Sequence, residues 1–63
     1  MSQRPRMQVV LRLLAEGLTD DAIARRLGCS VRTVRNDVAA AMVALDARSR
    51  FQAGARAMQA GLI

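Results

Sequence analysis

Apolar residues along the chain recur at intervals of three and four, the period of one helix face, and no segment alternates as a strand would. Val10, Leu11, Leu14 and Leu18, joined by Met7, make the first such stripe. Pro5 suits the first helical position, because its fixed φ already matches a helix and an N–H there would lack a partner; Gly17 supplies the stop. Thr19 is a good N-cap for a short second helix, with Asp20 and Asp21 at the positive end of its dipole. That helix buries Ala22, Ile23 and Leu27, and Gly28 ends it. Ser30 caps a third helix running to about Leu45, with Val31, Val34, Val38, Ala41, Met42 and Leu45 on one side. After a turn from Asp46 to Arg48, Ser49 and Gln52 form a capping-box pair for a fourth helix, which Gly61 closes. The expected inner stripe of that helix is Phe51, Ala55, Met58 and Leu62.

The pattern predicts one all-α domain over residues 1–63, a four-helix helix-turn-helix fold with a winged-helix-like three-helix core and a fourth, C-terminal helix. The second and third helices are joined by Gly28-Cys29-Ser30, a three-residue turn of the helix-turn-helix kind. Ala24 has to be small where the second helix crosses close to its neighbour, Gly28 suits a turn that calls for positive φ, and Val34 anchors the third helix.

Composition narrows the class. With 63 residues, the chain buries only about 60% of its unfolded surface, so its core is small. A hydrophobic content of 52% is nevertheless ample for a packed fold. No apolar run approaches the roughly 20 residues that span a bilayer, and no signal peptide opens the chain, so a cytoplasmic protein with no membrane partner is expected.

Ten basic residues stand against five acidic ones, a net charge of +5, and every basic residue is Arg. The planar guanidinium fork matches phosphate oxygens and the guanine edge, so this excess points to nucleic acid. A bias toward Arg and Ala accounts for the missing Lys but not for the net excess. A lone Cys29 cannot form an internal disulfide and reads as a small buried residue at a turn. Without His, Lys or Tyr, the chain is poorly supplied for catalysis, and the usual zinc patterns are missing. No enzyme activity, metal, cofactor or small-molecule ligand is expected.

Counting 100° per residue places Arg32, Asn36, Ala39 and Val43 opposite the core stripe of the third helix, with Thr33, Arg35 and Ala40 on its shoulders. A helix in the major groove needs such residues in its N-terminal half. Arg bonds guanine bidentately, Asn reads adenine, and Thr and the amides of a helix start hold phosphates. Asp37 runs against this chemistry. It repels a phosphate backbone unless it pairs with an Arg, accepts from a cytosine amine or points away from DNA.

The stretches VLRLLAEGLTDDAIARRLGCSVRTVRNDV and ARSRFQAGARAMQAGLI resemble the DNA-binding domain of the LuxR/GerE family of bacterial transcription regulators along almost the whole chain. The resemblance implies sequence-specific binding of double-stranded DNA in transcription regulation, with the third helix in the major groove. It brings Arg35 and Asn36 near bases or neighbouring phosphates and Thr33 to the backbone. With the caps and the outward face, the expected DNA-binding set is Thr19, Ser30, Arg32, Thr33, Arg35, Asn36 and Ala39. RNA polymerase is a further candidate partner.

Three departures stand out. Arg4 and Met7 occupy positions where the family usually has a Thr cap and a Glu, so the first helix should fray more easily, at about 0.5–2 kcal/mol for a lost cap. Asp37 and Ala39 stand where the family often has His and a basic residue. Gly54 replaces a usual apolar residue and should weaken the fourth helix by roughly 1 kcal/mol against Ala.

With Phe51, Ala55, Met58 and Leu62 inward, the other side of the fourth helix shows Gln52, Ala53, Arg56 and Ala60. That side reads either as an exposed Ala-rich face or, as the resemblance implies, as the interface of a weak homodimer that DNA strengthens. A dimer would set two recognition helices on successive major-groove faces. Two other readings compete with a LuxR-type regulator. One is a promoter-binding module like region 4 of a sigma factor, against which the ordered fourth helix counts. The other is a protein-interaction module that has lost DNA binding, which Asp37 and Ala39 favour.

Overall fold

The computed structural model describes residues 4–63, with side chains from Arg6 onward. They form four helices, α1 (Arg4–Ala15), α2 (Asp20–Leu27), α3 (Val31–Ala44) and α4 (Arg50–Gln59), and no strand occurs among the described residues. Each start from α2 onward rests on a hydroxyl that accepts an otherwise orphaned amide. Thr19 Oγ1 takes the Ala22 N–H at 3.2 Å, Ser30 Oγ takes that of Thr33 at 3.1 Å, and Ser49 Oγ takes that of Gln52 at 3.0 Å. The reciprocal half of the expected capping box is displaced by one residue. Gln52 Oε1 accepts from the Arg48 N–H at 2.7 Å rather than from Ser49. The expected fraying of the first turn concerns Arg4, whose side chain lies outside the described residues.

The helix ends share one device. Leu18, Ala47 and Leu62 donate back to the carbonyls of Leu13, Met42 and Ala57, at 3.1, 2.9 and 2.9 Å, closing Schellman motifs after α1, α3 and α4. Glycines hold the left-handed position after α1 and α4, but after α3 that position falls to Asp46, at φ 52°. A short polar side chain tolerates this region better than most, which is why the turn survives without glycine. α2 ends on Gly28, at φ 68°, whose N–H reaches the Ala24 carbonyl. This is the positive-φ turn on which the helix-turn-helix depends, and a Cβ there would be strained.

Val10, Leu11, Ile23 and Val34 are fully buried at the centre, with Leu13, Leu14, Ala24, Val38 and Ala41 around them. α1 packs against both α3 and α4, while α2 packs against α3. Because α1 is covered from two sides, its buried face is wider than one stripe. That brings in Leu13, which the periodicity alone leaves out. Met7, Leu18, Leu27, Val31, Met42 and Leu45 pack against this core while remaining partly exposed. Ala22 is likewise half-buried rather than buried.

α4 is turned relative to the expectation. Phe51 is 85% exposed and Met58 63% exposed, whereas Ala53 and Ala57 are fully buried and Gly54 is buried between them. The physical reason is close approach. A Cβ at Gly54 would lie 3.2 Å from Ala15 Cα and 3.3 Å from its Cβ, so a face of small residues lets α4 lie directly against the end of α1. Large side chains on that face would hold the helices apart. Gly54 is therefore a packing residue, and the expected loss of helix propensity is set against this contact. Ala53 is a core residue and is withdrawn from the expected dimer face. Gln52 is half-buried, its side chain committed to the Arg48 amide; only Arg56 and Ala60 of that foursome are exposed.

Candidate nucleic-acid interface

The two hydroxyl caps that start α2 and α3 also begin the candidate interface. The Ser30 hydroxyl donates to Thr33 Oγ1 at 3.0 Å while accepting the Thr33 amide. Its proton is thus spent within the cap, and the Thr33 hydroxyl keeps its own proton to give. Thr19 Oγ1 is in the same position, accepting from Ala22 and retaining a proton.

From these starts the first turns of α3 display the expected residues. Arg32, Arg35, Asn36 and Ala39 are exposed, as are Thr19 and Ser30, and Thr33 is half-buried. Arg35 also ties the face to α2. Its Nε lies 3.6 Å from Asp20 Oδ2, and Asp20 directly follows Thr19. The N-terminus of α2 and the outer face of α3 therefore form one continuous edge. Beyond Ala39 the exposed side of α3 turns apolar, with Ala40, Val43 and Ala44.

Asp37 finds its partner on a different helix. Its Oδ2 accepts from Arg6 Nε at 2.8 Å, which bridges α3 to the start of α1. Arg6 Nη2 reaches the sulfur of Cys29 at 3.5 Å, so Cys29 is a half-buried thiol under a guanidinium rather than a sealed core residue. The bond to Asp37, and secondarily that to Cys29, raises the Arg6 pKa above its ordinary value, so this group stays a cation. Of the three fates open to Asp37, pairing with an Arg is the one the structure realises. Its charge is spent on α1.

Sequence reasoning missed three residues of this neighbourhood. Arg6 meets Asp37 across 31 positions, and no local pattern joins them. Arg50 puts Nη1 2.7 Å from Asp20 Oδ1 and donates from Nη2 to the Leu18 carbonyl at 3.3 Å. Position alone gives Asp20 only the α2 dipole, and the fold adds Arg35 and Arg50. One local signal did exist: a cation at the first residue of α4 opposes the helix dipole, so the helix itself gives no reason for Arg50 to stand there.

Among the described residues no helix is long and apolar enough to cross a membrane. The family model described as bacterial regulatory proteins, luxR family, matches residues 2–57. The bialaphos biosynthetic pathway regulatory protein of Streptomyces hygroscopicus is 49% identical over 55 residues, covering 87% of this chain. Those residues make up 22% of that protein, so the chain spans about a fifth of the length of this curated relative. No solved structure matches. A helix-turn-helix with an Arg-, Thr- and Asn-bearing outer face and a family match over nearly all its length lead to one conclusion: this chain belongs to the luxR family of bacterial regulatory proteins, whose helix-turn-helix domains bind DNA in transcription regulation.

Proposed function

We propose that the chain, taken as one domain over residues 1–63, binds double-stranded DNA sequence-specifically with α3 in the major groove. Arg32, Arg35 and Asn36 face base edges, Arg as a bidentate donor to guanine and Asn as donor and acceptor to adenine. Thr33 and Thr19 give their hydroxyl protons to phosphates beside the amides that begin α3 and α2, Ser30 shapes the α3 start, and Ala39 lies against the groove wall. The observation that carries this reading is electrostatic. The outer face of the first turns of α3 offers Arg, Thr and Asn, and the one carboxylate on those turns is held by Arg6 at 2.8 Å.

The second part of the proposal is a weak dimer through α4, on a face redrawn from the one expected. Phe51, Ala55 and Met58 follow one another at helical spacing, and none of them belongs to the buried face made by Ala53, Gly54 and Ala57. A Phe 85% exposed and a Met 63% exposed on one stripe favour burial against an identical stripe related by two-fold symmetry. Sedimentation of the wild type on a duplex carrying two inverted half-sites should show two chains bound. Phe51→Ser should leave one chain per duplex and a melting curve close to wild type. Single occupancy by the wild type would remove the dimer and leave groove binding by one copy to be judged separately.

A further inference from the structure

Resting on the groove reading of Arg35, we propose that Asp20 is a specificity-determining residue, holding the Arg35 guanidinium for a base edge and away from phosphates. The two oxygens of Asp20 have different tasks. Oδ1 is shut off from solvent with Arg50 Nη1 at 2.7 Å, an ion pair rather than a well-aligned hydrogen bond. Arg50 is itself bonded to the Leu18 carbonyl at 3.3 Å, so the carboxylate is held from the α4 side while its other oxygen faces Arg35. Oδ2 faces Arg35 Nε at 3.6 Å, while the Arg35 side chain is 71% exposed.

Arg35 is thus tethered at one edge only. Its Nε side is turned toward a fixed anion, and its two terminal nitrogens remain to form the fork that a guanine edge requires. At 3.6 Å the tether is an ion pair too long for a hydrogen bond, and at this exposure it is weak. A weak tether suits selection. A base offering two aligned acceptors takes the free terminal fork with the tether in place, whereas a phosphate drawn to the same cation meets the repulsion of the Asp20 charge. Asp20 therefore lowers non-cognate binding more than cognate binding.

The test compares Asp20→Asn with Asp21→Asn, which changes net charge equally in the same first turn of α2. The probes are the duplex enriched from a random library by the wild-type chain and a scrambled duplex of the same composition. Asp20→Asn should lower the ratio of enriched to scrambled affinity by roughly two- to fivefold more than Asp21→Asn, the range of an exposed ion pair. It should also steepen the salt dependence on the scrambled duplex by about one phosphate contact. In an Arg35→Ala background the difference between the two Asn variants should vanish. Asp20→Ser, which also removes the carboxylate but keeps a residue suited to the first turn of a helix, should shift the ratio in the same direction and serves as the test if Asp20→Asn melts below the assay temperature. Equal ratios for the Asp20 and Asp21 variants, with Arg35→Ala still damaging, would overturn the role of Asp20 alone. An Arg35→Ala chain that keeps the wild-type ratio would overturn both this role and the groove reading of Arg35.

Discussion

Ile23→Ala should unfold a large fraction of the molecules at physiological temperature. Ile23 is one of four fully buried large side chains, and it is the one α2 places at the centre of the core. Truncating a buried Ile to Ala costs about 2–5 kcal/mol, through lost burial plus the cavity left behind. At roughly 0.05–0.15 kcal/mol per residue, a chain of 63 residues has only about 3–9 kcal/mol in total. The core has no aromatic side chain to spare, since the single Phe is on the surface. Chemical denaturation followed by circular dichroism should show a midpoint far below wild type. A loss under about 1 kcal/mol would mean that α2 is not held by the core as described.

Arg35→Ala should produce the other large effect, in binding rather than stability. Its side chain is 71% exposed and makes one long ion pair, so its removal leaves the melting temperature nearly unchanged. If the guanidinium forms a bidentate contact with a base, truncation costs about 1–3 kcal/mol, or roughly five- to 150-fold in affinity for the enriched duplex. Binding to scrambled duplexes should fall much less, and the preference at one base position of the site should relax. Isotherms for both duplexes at two salt concentrations separate this outcome from a general loss of charge, which would weaken both duplexes alike.

The parts of the fold legible in the sequence are those written in local chemistry. Thr19, Ser30 and Ser49 cap helices, and Gly28 makes the positive-φ turn, because each answers a demand of the few residues around it. The face of α3 followed from counting around a helix whose core stripe is broad and aliphatic. In α4, size and hydrophobicity favour Phe51 and Met58 as buried residues, and the structure exposes both. What decided the orientation of α4 was the closeness of α1 at Gly54, on the small-residue face where Ala53 and Ala57 are also buried. Helix period gives the stripes but not which of two stripes meets a neighbour.

The long-range ion pairs were hidden for a related reason. Asp37 was recognised as out of keeping with a DNA face, and pairing with an Arg was one of its foreseen fates, yet nothing local could single out Arg6. Asp20 was read as a helix-dipole residue, a role its position supports. The crossing of α2, α3 and the start of α4 gives it two further partners, Arg35 and Arg50. Both cases show charges whose function depends on which helix ends the fold brings together.

If one edge, built from the α2 start and the outer face of α3, meets DNA, the contact is visible residue by residue when the isotopically labelled wild-type chain is titrated with the enriched duplex and backbone amide shifts are followed. The largest changes are expected at Thr19, Ser30, Arg32, Thr33, Arg35 and Asn36, with the buried face of α4 at Ala53 and Ala57 little altered. Largest changes centred instead on the Phe51–Met58 stripe, with the first turns of α3 unmoved, would contradict it.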